Sequence, residues 1–442
     1  MKYMVFAVAA LGVPPLAVLL SMNMRWMKYA FWGMAAALVL YQNTSINFFS
    51  HEMYPGSSRG MEVSLVYLLD AAIVLAAKIR RKTQPFIAEK GFFFYLFYFA
   101  LCLPSLSQAD DGLIAWFEVW KMIMLFFHLY ASYTCLSATD DLDSVLKVLA
   151  LLVGINTLMV VKAHYSGVYQ PGGVFPHRNG MAMAMLLLGP VFFALFMMQG
   201  TKTKSGKTGL ALAGAAALST LWSYSRGAMA MIPVAYGMAA FFCWLSGGKR
   251  REVFRRVLPM VAIGVIALLV ALPRIIDRFV NAPESSGKTR IELAACAREM
   301  IMDKPLTGVG INNWSLNMEP THPYQMDAFD KLGDGYEYQG YRGIVETVYL
   351  LVCAECGIPA LAAMLIWFLW YWISCFRLLK RLRGTRWFFI PAGLLGGLTA
   401  NYLQSALEWV LRQQLNLICV MFLFALISYL NVNWRRIRSR DR

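Results

Sequence analysis

The sequence predicts an all-α, polytopic helical membrane protein, with about 12–14 transmembrane helices and one large extracytoplasmic helical loop. Three observations predict this class: the composition, the number of long apolar stretches and the distribution of basic residues. Of the 442 residues, 59% are hydrophobic and only 15% are charged. A soluble protein of this size needs far more polar surface, so the apolar excess indicates burial in lipid.

The apolar stretches have the length of membrane-spanning helices. A span needs about 20 mostly apolar residues, and by that measure the chain has roughly 13 candidates. They lie at 3–22, 27–43, 61–78, 91–107, 113–136, 144–162, 180–199, 208–222, 226–246, 256–273, 346–376, 387–405 and 411–431.

The basic residues lie in short segments between these stretches. The net charge is +16, and its carriers cluster at 25–28, 78–90, 202–207, 249–256, 377–386 and 435–442. These segments alternate with poorly basic ones, which is the pattern that marks the cytoplasmic side of a membrane. The charge therefore indicates contact with anionic lipid headgroups and not with nucleic acid. With an odd number of spans, the C-terminus is predicted in the cytoplasm.

The same alternation assigns the poorly basic segments to the opposite side, which we call the outer face. The longest of them, 274–345, far exceeds an ordinary connection and is predicted to be functional. The chain is therefore predicted to have three parts. These are the spans of 1–273, the loop 274–345, and the further spans with a basic tail at 346–442. Apolar residues recur at helical spacing over 289–302, and the following Lys304-Pro305 is predicted to end that helix.

Several basic residues of the outer face lie directly beside the spans. They are His177, Arg178, Arg226, Arg290 and Arg342. The arginine fork matches phosphate oxygens, and a helix start such as that at Arg178 also favours an anion. The alternative is that each is an ordinary interfacial side chain extending to lipid headgroups.

Two residues are candidates for proton transfer. Glu346 lies at the outer mouth of a long span, where a carboxylate near arginines can act as a general base. It can equally be a first-turn acid that stabilises the helix dipole. His322 is the only histidine of the loop, and it is either a helper in proton transfer or a solvated loop residue.

Other acidic residues have spacings typical of ion pairs. Glu118 and Lys121 are three residues apart within a span, and Glu408 and Arg412 are four apart near the outer face, so each couple is predicted to pair. Glu355, deeper on the helix that begins near Glu346, is expected to have a structural partner. Alternatively, Glu118, Lys121 and Asp70 together form the ion path of a transporter.

Several motifs for nucleotide binding and hydrolysis are absent from the sequence. It contains no P-loop, no dinucleotide-binding glycine motif, no HExxH and no GxSxG. A site at the outer face would also have no ATP, so any group transfer there must use a preactivated donor.

Four segments together resemble the O-antigen ligase and O-antigen polymerase superfamily of bacterial envelope enzymes. They are 175–180 (FPHRNG), 223–228 (SYSRGA), 290–310, which ends in DKPLTGVG, and 345–357 (VETVYLLVCAECG). Each segment alone is weakly specific. Their order, with the large loop between the third and the fourth, carries the resemblance over roughly residues 165–430.

The resemblance implies an inverting, metal-independent glycosyltransferase of the GT-C type that needs no cofactor. Such enzymes move a glycan from undecaprenyl-pyrophosphate to lipid A-core, to a growing polysaccharide or to a protein hydroxyl, on the periplasmic side of the bacterial inner membrane. Arg226 then corresponds to the arginine that binds the pyrophosphate. Arg290, Arg178, His177 and Arg342 are expected to help it stabilise the leaving charge.

One position departs from the family pattern. The fourth segment usually contains a His-Asn pair, in which the histidine activates the acceptor hydroxyl, and here the two positions are Glu346 and Thr347. Glutamate can still accept a proton, so Glu346 is the predicted base. Whether the acceptor is that of a ligase or of a polymerase stays open.

Two other classes of protein also stay open. One is a secondary transporter or channel for a small anion, although the sequence contains no inverted repeat of the kind many transporters have. The other is a non-catalytic scaffold for envelope assembly.

Overall fold

A computed structural model describes residues 2–23, 26–81, 89–245, 250–260, 262, 269, 273, 284–319, 321–333 and 343–441. Helices dominate these ranges, which confirms the all-α class. The first half contains α1 (Lys2–Leu11), α2 (Val13–Met22), α3 (Met27–Val39), α4 (Tyr41–Thr44), α5 (Leu65–Ile79), α6 (Lys90–Cys102), α7 (Gly112–Thr139), α8 (Leu142–Tyr165), α9 (Arg178–Gln199) and α10 (Lys204–Trp222). The second half contains α11 (Arg226–Leu245), α12 (Glu284–Asp303), α13 (Tyr324–Leu332), α14 (Val348–Arg381), α15 (Phe389–Gln404) and α16 (Gln414–Arg440).

The described residues also contain short elements. Two three-residue strands, β1 (Ile46–Phe48) and β2 (Met61–Val63), pair antiparallel with Ile46 opposite Val63. Three 3₁₀ turns lie at Leu103–Gln108, Leu316–Met318 and Val410–Arg412.

Within the described ranges, seven helical segments are long and apolar enough to cross a membrane, or eight if the bent pair α1–α2 is one span. The seven are α6 with the 3₁₀ turn after it, α7, α8, α9, α11, α14 and α16. The protein is therefore polytopic, as predicted.

Four further predicted spans coincide with helices that are shorter or less apolar. Helices α3, α5 and α15 have 13, 15 and 16 residues, fewer than the roughly 20 that a straight span needs. Helix α10 has 19 residues but begins with two lysines and is rich in Gly, Ala and Thr. The predicted span 256–273 lies mostly outside the described residues.

Helix α9 lies at the centre of the bundle and is buried along almost its whole length. Small residues of its neighbours let their backbones approach it closely. A Cβ at Gly393 of α15 would collide with the backbone of Val191, and one at Gly397 would lie 2.6 Å from the carbonyl oxygen of Leu187. Such small-residue contacts are the usual way in which helices pack inside a bilayer.

Helix α14 is broken at Gly357, whose φ of 82° is left-handed. At the break, nearby backbone N–H and C=O groups lack hydrogen-bond partners within the helix. The loop supplies these partners instead. Val309 and Gly310 donate from their N–H groups to the carbonyls of Ala354 (2.8 Å) and Glu355 (3.1 Å), and Ile358 donates to that of Pro305 (2.8 Å). The irregular backbone is thus satisfied within the protein, as a membrane environment requires.

The described residues of the segment 284–345 form a small apolar core together with the outer end of α14. Its helix α12 covers the predicted range 289–302 and ends directly before Lys304-Pro305, as predicted. The core contains Leu293, Cys296, Ala297, Met300, Val309, Trp314, Ile344 and Val345, together with Leu351 and Ala354 of α14. The outer end of α14 is therefore part of this core.

A buried group of four charges joins three parts of the chain. The predicted pair of Glu118 and Lys121 is confirmed, with Oε2 and Nζ 2.6 Å apart. Arg412 also pairs with Glu118 at 3.5 Å, and it pairs with Glu355, which thereby has the partner expected for it. The prediction that Arg412 pairs with Glu408 is wrong, because α15 ends at Gln404 and no single helix contains both residues.

Candidate functional site

Arg290 lies between two carboxylates at the outer ends of the helices. Its Nε pairs with Oε2 of Glu346, and its Nη2 lies 3.6 Å from Oε1 of Glu408. The three residues come from α12, from the segment before α14 and from the turn between α15 and α16. Backbone contacts hold the last two together, because the Val348 N–H donates to the carbonyl of Ser405 at 3.1 Å.

Asn179 completes what we call the Arg290 cluster: Arg290, Glu346, Glu408 and Asn179. The Asn179 side chain donates from Nδ2 to Oε2 of Glu408 at 2.7 Å. Side-chain exposure is 9% for Glu408, 38% for Arg290 and 40% for Glu346. The cluster therefore has a buried carboxylate at its base and an open ion pair at its mouth.

The buried position changes the proton affinity of Glu408. Burial raises the pKa of this carboxyl to about 7, and the nearby Glu346 charge acts in the same direction. Arg290, the Asn179 hydrogen bond and Arg178 oppose the shift without cancelling it. Glu408 can consequently gain or lose a proton near neutral pH.

His177 lies beside the cluster, at the start of α9. Burial, followed by the charge of Arg178, lowers the pKa of His177, whereas Glu346 acts in the opposite direction. The backbone N–H of Asn179 donates to Nδ1 of His177 at 3.2 Å. The neutral imidazole compatible with this bond has its proton on Nε2.

Two helix starts meet at the turn that contains Glu408. Arg178 and Arg226 are the first residues of α9 and α11. Asn179 bonds to Glu408, and a Cβ at Gly227 would lie 3.8 Å from Cδ1 of Leu407. Helix N-termini carry partial positive charge and free N–H groups, so this arrangement favours an anion.

The structure does not bring every predicted site residue to the Arg290 cluster. Nε2 of His322 pairs with Oδ2 of Asp110 at 3.1 Å, and its ring stacks on Tyr324. In the parts of the chain that are described, His322 has no hydrogen bond or ion pair with a member of the Arg290 cluster. Its predicted role in proton transfer stays a prediction. Arg342 lies outside the described residues.

Sequence reasoning did not assign Glu408 or Asn179 to the site. Asn179 is part of the first family segment, but Arg178 and His177 beside it have the more obvious chemistry. Glu408 is the only acidic residue of the outward segment 406–410. The sequence did contain a signal for Glu408. It is a single carboxylate between two predicted spans, on the same side of the membrane as the arginines of the predicted site.

The arrangement provides the groups that a transfer from a phosphate leaving group requires. Arginine and helix N-termini can hold phosphate oxygens, and two carboxylates of different burial can accept a proton. The ion pair at the mouth of the cluster is open to solvent, so a charged ligand can reach it.

The O-antigen ligase family model matches residues 210–365, about a third of the chain. The matched range includes Arg226, Arg290 and Glu346, while Asn179 and Glu408 lie outside it. The match confirms the resemblance to the O-antigen ligase and polymerase superfamily. No curated protein matches the chain.

Together, the match and the spans indicate a bacterial membrane protein with an O-antigen ligase-like function in general. This function is a ligase or polymerase activity that uses a lipid-linked glycan donor and a glycan acceptor.

Proposed function

We propose that this O-antigen ligase-like protein transfers a glycan from undecaprenyl-pyrophosphate to an acceptor hydroxyl, on the periplasmic side of the inner membrane. The acceptor is lipid A-core, a growing polysaccharide or a protein. The observation that carries the proposal is the position of Arg290, which pairs with Glu346 and Glu408 where α9 and α11 begin. A phosphate-binding group and proton acceptors are therefore in contact.

The cationic side of the site would bind the pyrophosphate. Arg226 and Arg178 begin two neighbouring helices, and Arg290 of the loop helix α12 pairs with Glu408 in the turn that both helix starts approach. Guanidinium groups bind phosphate oxygens with two parallel hydrogen bonds, and their charge stabilises a leaving pyrophosphate as it forms. His177 and Arg342 are the proposed helpers, as the resemblance implies.

Glu346 is the proposed general base. Since Arg290 pairs with Glu346, a pyrophosphate that binds Arg290 competes with that carboxylate and releases it toward the acceptor. The acceptor oxygen then attacks the anomeric carbon while the carbon–oxygen bond to the pyrophosphate breaks. The hydroxyl proton passes to Glu346, and the bonding pair leaves with the lipid pyrophosphate. The transfer inverts the anomeric centre and needs no metal ion, as the resemblance implies.

Glu408 is proposed to position Arg290 from the buried side of the Arg290 cluster. It is too enclosed to be the first acceptor of a proton from a large glycan, with 9% of its side chain exposed. Its contacts with Arg290 and Asn179 hold the guanidinium against α9.

The proposed orientation has its support in helix α16. This helix begins at Gln414, just after the turn with Glu408, and ends in the basic tail at Arg440. The Arg290 cluster and the tail thus lie at opposite ends of one helix. Since basic segments mark the cytoplasm, the cluster faces the periplasm and the C-terminus lies in the cytoplasm.

The test is glycan transfer by reconstituted protein, using lipid-linked glycan extracted from the encoding bacterium. We expect Glu346→Gln and Arg226→Ala to abolish transfer, whereas Arg386→Ala, an exposed arginine at the basic end, retains it. Transfer by Glu346→Gln at the wild-type rate, with equal protein in the membrane, would show that Glu346 is not the base.

The transporter alternative has less support than the enzyme. Its candidate pathway groups pair with one another inside the protein: Glu118 with Lys121, and Asp70 with Nδ1 of His128 at 2.8 Å. Gradient-driven anion uptake into proteoliposomes, without consumption of lipid-linked glycan, would reverse this preference.

A further inference from the structure

Four aromatic side chains gather at the outer ends of α8 and α10 and in the loops that follow these helices. We call Tyr165, Tyr169, Trp222 and Tyr224 the aromatic platform. The rings of Tyr169 and Tyr224 are stacked, with centroids 5.1 Å apart and planes 17° apart. The ring of Tyr165 meets that of Trp222 edge-on at 6.3 Å.

The platform leaves large ring surfaces open. Tyr165 is 80% exposed and Tyr169 is 64% exposed, although each already contacts another ring. Open aromatic faces that are held in place by stacking are preorganised for a flat, partly apolar ligand. The competing explanation is an ordinary belt of tyrosine and tryptophan at the membrane surface.

The backbone at Tyr224 distinguishes the two explanations. Its φ is 52°, in the left-handed region that a bulky residue rarely adopts. Local hydrogen bonds fix this conformation: the Tyr224 N–H donates to the carbonyl of Leu221, and the Ser225 N–H donates to Oγ of Ser223, both at 3.1 Å. A belt tyrosine on a regular helix has no such conformation, so the turn after α10, and not a helix face, sets the direction of this ring.

The platform adjoins the proposed transfer site. Tyr224 lies two residues before Arg226, which begins α11, and the loop with Tyr169 leads into His177 and α9. Both helix starts reach the turn that contains Glu408. A glycan whose pyrophosphate bound at the arginines would therefore extend past these rings.

We propose that the aromatic platform binds a sugar ring of the donor glycan, through stacking of the sugar's C–H face on the free face of Tyr169, which Tyr224 supports from the opposite side. The C–H face of a pyranose is weakly positive and apolar, and it complements the negative face of an aromatic ring. The inference rests on the proposed function, since it assigns a place to the glycan of that same donor.

The test uses the full-length protein in nanodiscs with two probes. One is lipid-linked glycan extracted from the encoding bacterium, assayed for its KM as donor. The other is undecaprenyl pyrophosphate without glycan, assayed as a competitive inhibitor. We expect Tyr169→Ala to raise the donor KM about 3- to 10-fold, which is the range for the loss of one aromatic contact. Inhibition by the glycan-free lipid and the KM for the acceptor should stay unchanged.

Two further variants show whether a change in the donor KM comes from loss of the ring or from a folding defect. Tyr169→Phe keeps the ring and should keep the wild-type KM. Tyr224→Gly removes the other ring, but glycine accepts the left-handed backbone, so this protein should fold and show a similar rise in the donor KM. The matched control is Tyr29→Ala, a tyrosine that is 58% exposed beside the basic segment 25–28 and should not change the donor KM.

Each contrary outcome has a defined meaning. An unchanged donor KM in Tyr169→Ala and Tyr224→Gly, with normal turnover by the wild type, overturns the platform and leaves the proposed function intact. A rise in the acceptor KM alone, an equal rise in Tyr29→Ala, or weaker inhibition by glycan-free lipid also overturns it. If the wild type neither consumes the lipid-linked glycan nor binds undecaprenyl pyrophosphate, the proposed function itself fails.

Discussion

The side chain of Asn179 donates a 2.7 Å hydrogen bond to the carboxylate of Glu408, and it thereby joins the start of α9 to the turn between α15 and α16. The same carboxylate faces Arg290. Two segments far apart in the sequence thus fix one guanidinium group, and the pKa of about 7 at Glu408 is the electrostatic consequence of enclosing it there.

Glu408 makes stability depend on pH in a predictable direction. Its pKa in the folded protein is about 7, above the ordinary value of 4.5, so the folded state binds more protons between those values. The stability contributed by this group is present at low pH and is lost as pH rises through about 7. We expect Glu408→Gln to weaken the fall in melting temperature between pH 5 and pH 8. Glu299→Gln, in a separate pair with Lys331, should leave that profile unchanged.

Arg290→Lys should impair transfer even though it keeps the positive charge. The guanidinium contacts two carboxylates and is proposed to bind the pyrophosphate as well, and an ammonium group cannot reproduce its planar fork. We expect a loss of about 10- to 100-fold in kcat/KM for the lipid-linked donor. Arg298→Lys, on an exposed position of the same helix, is the control. Equal activity of the two variants would remove Arg290 from the proposed mechanism.

Gly357→Ala should destabilise the protein more than Gly384→Ala. Both glycines have a φ of 82°, so an alanine at either position is strained, by on the order of 1–3 kcal/mol. A Cβ at Gly357 would also collide with the backbone of Leu306, whereas one at Gly384 meets nothing within 4 Å. Melting temperature in detergent and protease sensitivity of the loop measure the difference. Equal effects would mean that the loop does not depend on the break in α14.

Arg412→Met should destabilise the membrane domain strongly. It leaves Glu355 buried without its cation, and breaking a buried ion pair typically costs about 3–5 kcal/mol. Glu118 keeps Lys121 as a partner. We therefore expect the double variant Arg412→Met/Glu355→Gln to recover part of the lost melting temperature. Failure to recover any of it would indicate that Arg412 acts mainly through Glu118.

Local patterns in the sequence predicted the features that depend on neighbouring residues. Apolar stretches and basic segments were sufficient for the helical class, and Lys304-Pro305 marked the end of α12. The pair of Glu118 and Lys121 followed from helical spacing.

Contacts between distant residues were not predictable in this way. Arg290 and Glu408 are 118 positions apart, and only the packing of α12 against the turn after α15 brings them together. The spacing of Glu408 and Arg412 led to a wrong pair because the prediction assumed a helix where the chain turns. The break at Gly357 lies in an apolar run that reads as one helix. The sequence left two roles open for His322, and its contact with Asp110, which is 212 positions away, was not predictable from either of them.

The backbone pairing between 305–310 and 354–358 has a consequence for chimeric proteins. An exchange of the large loop between related proteins could be cut where the hydrophobic helix begins, which here is at Val348. That cut would separate Val309 and Gly310 from the carbonyls of Ala354 and Glu355 to which they donate. The unit of exchange therefore extends through Pro359, because a loop transferred without residues 348–359 loses the backbone partners that the broken helix supplies.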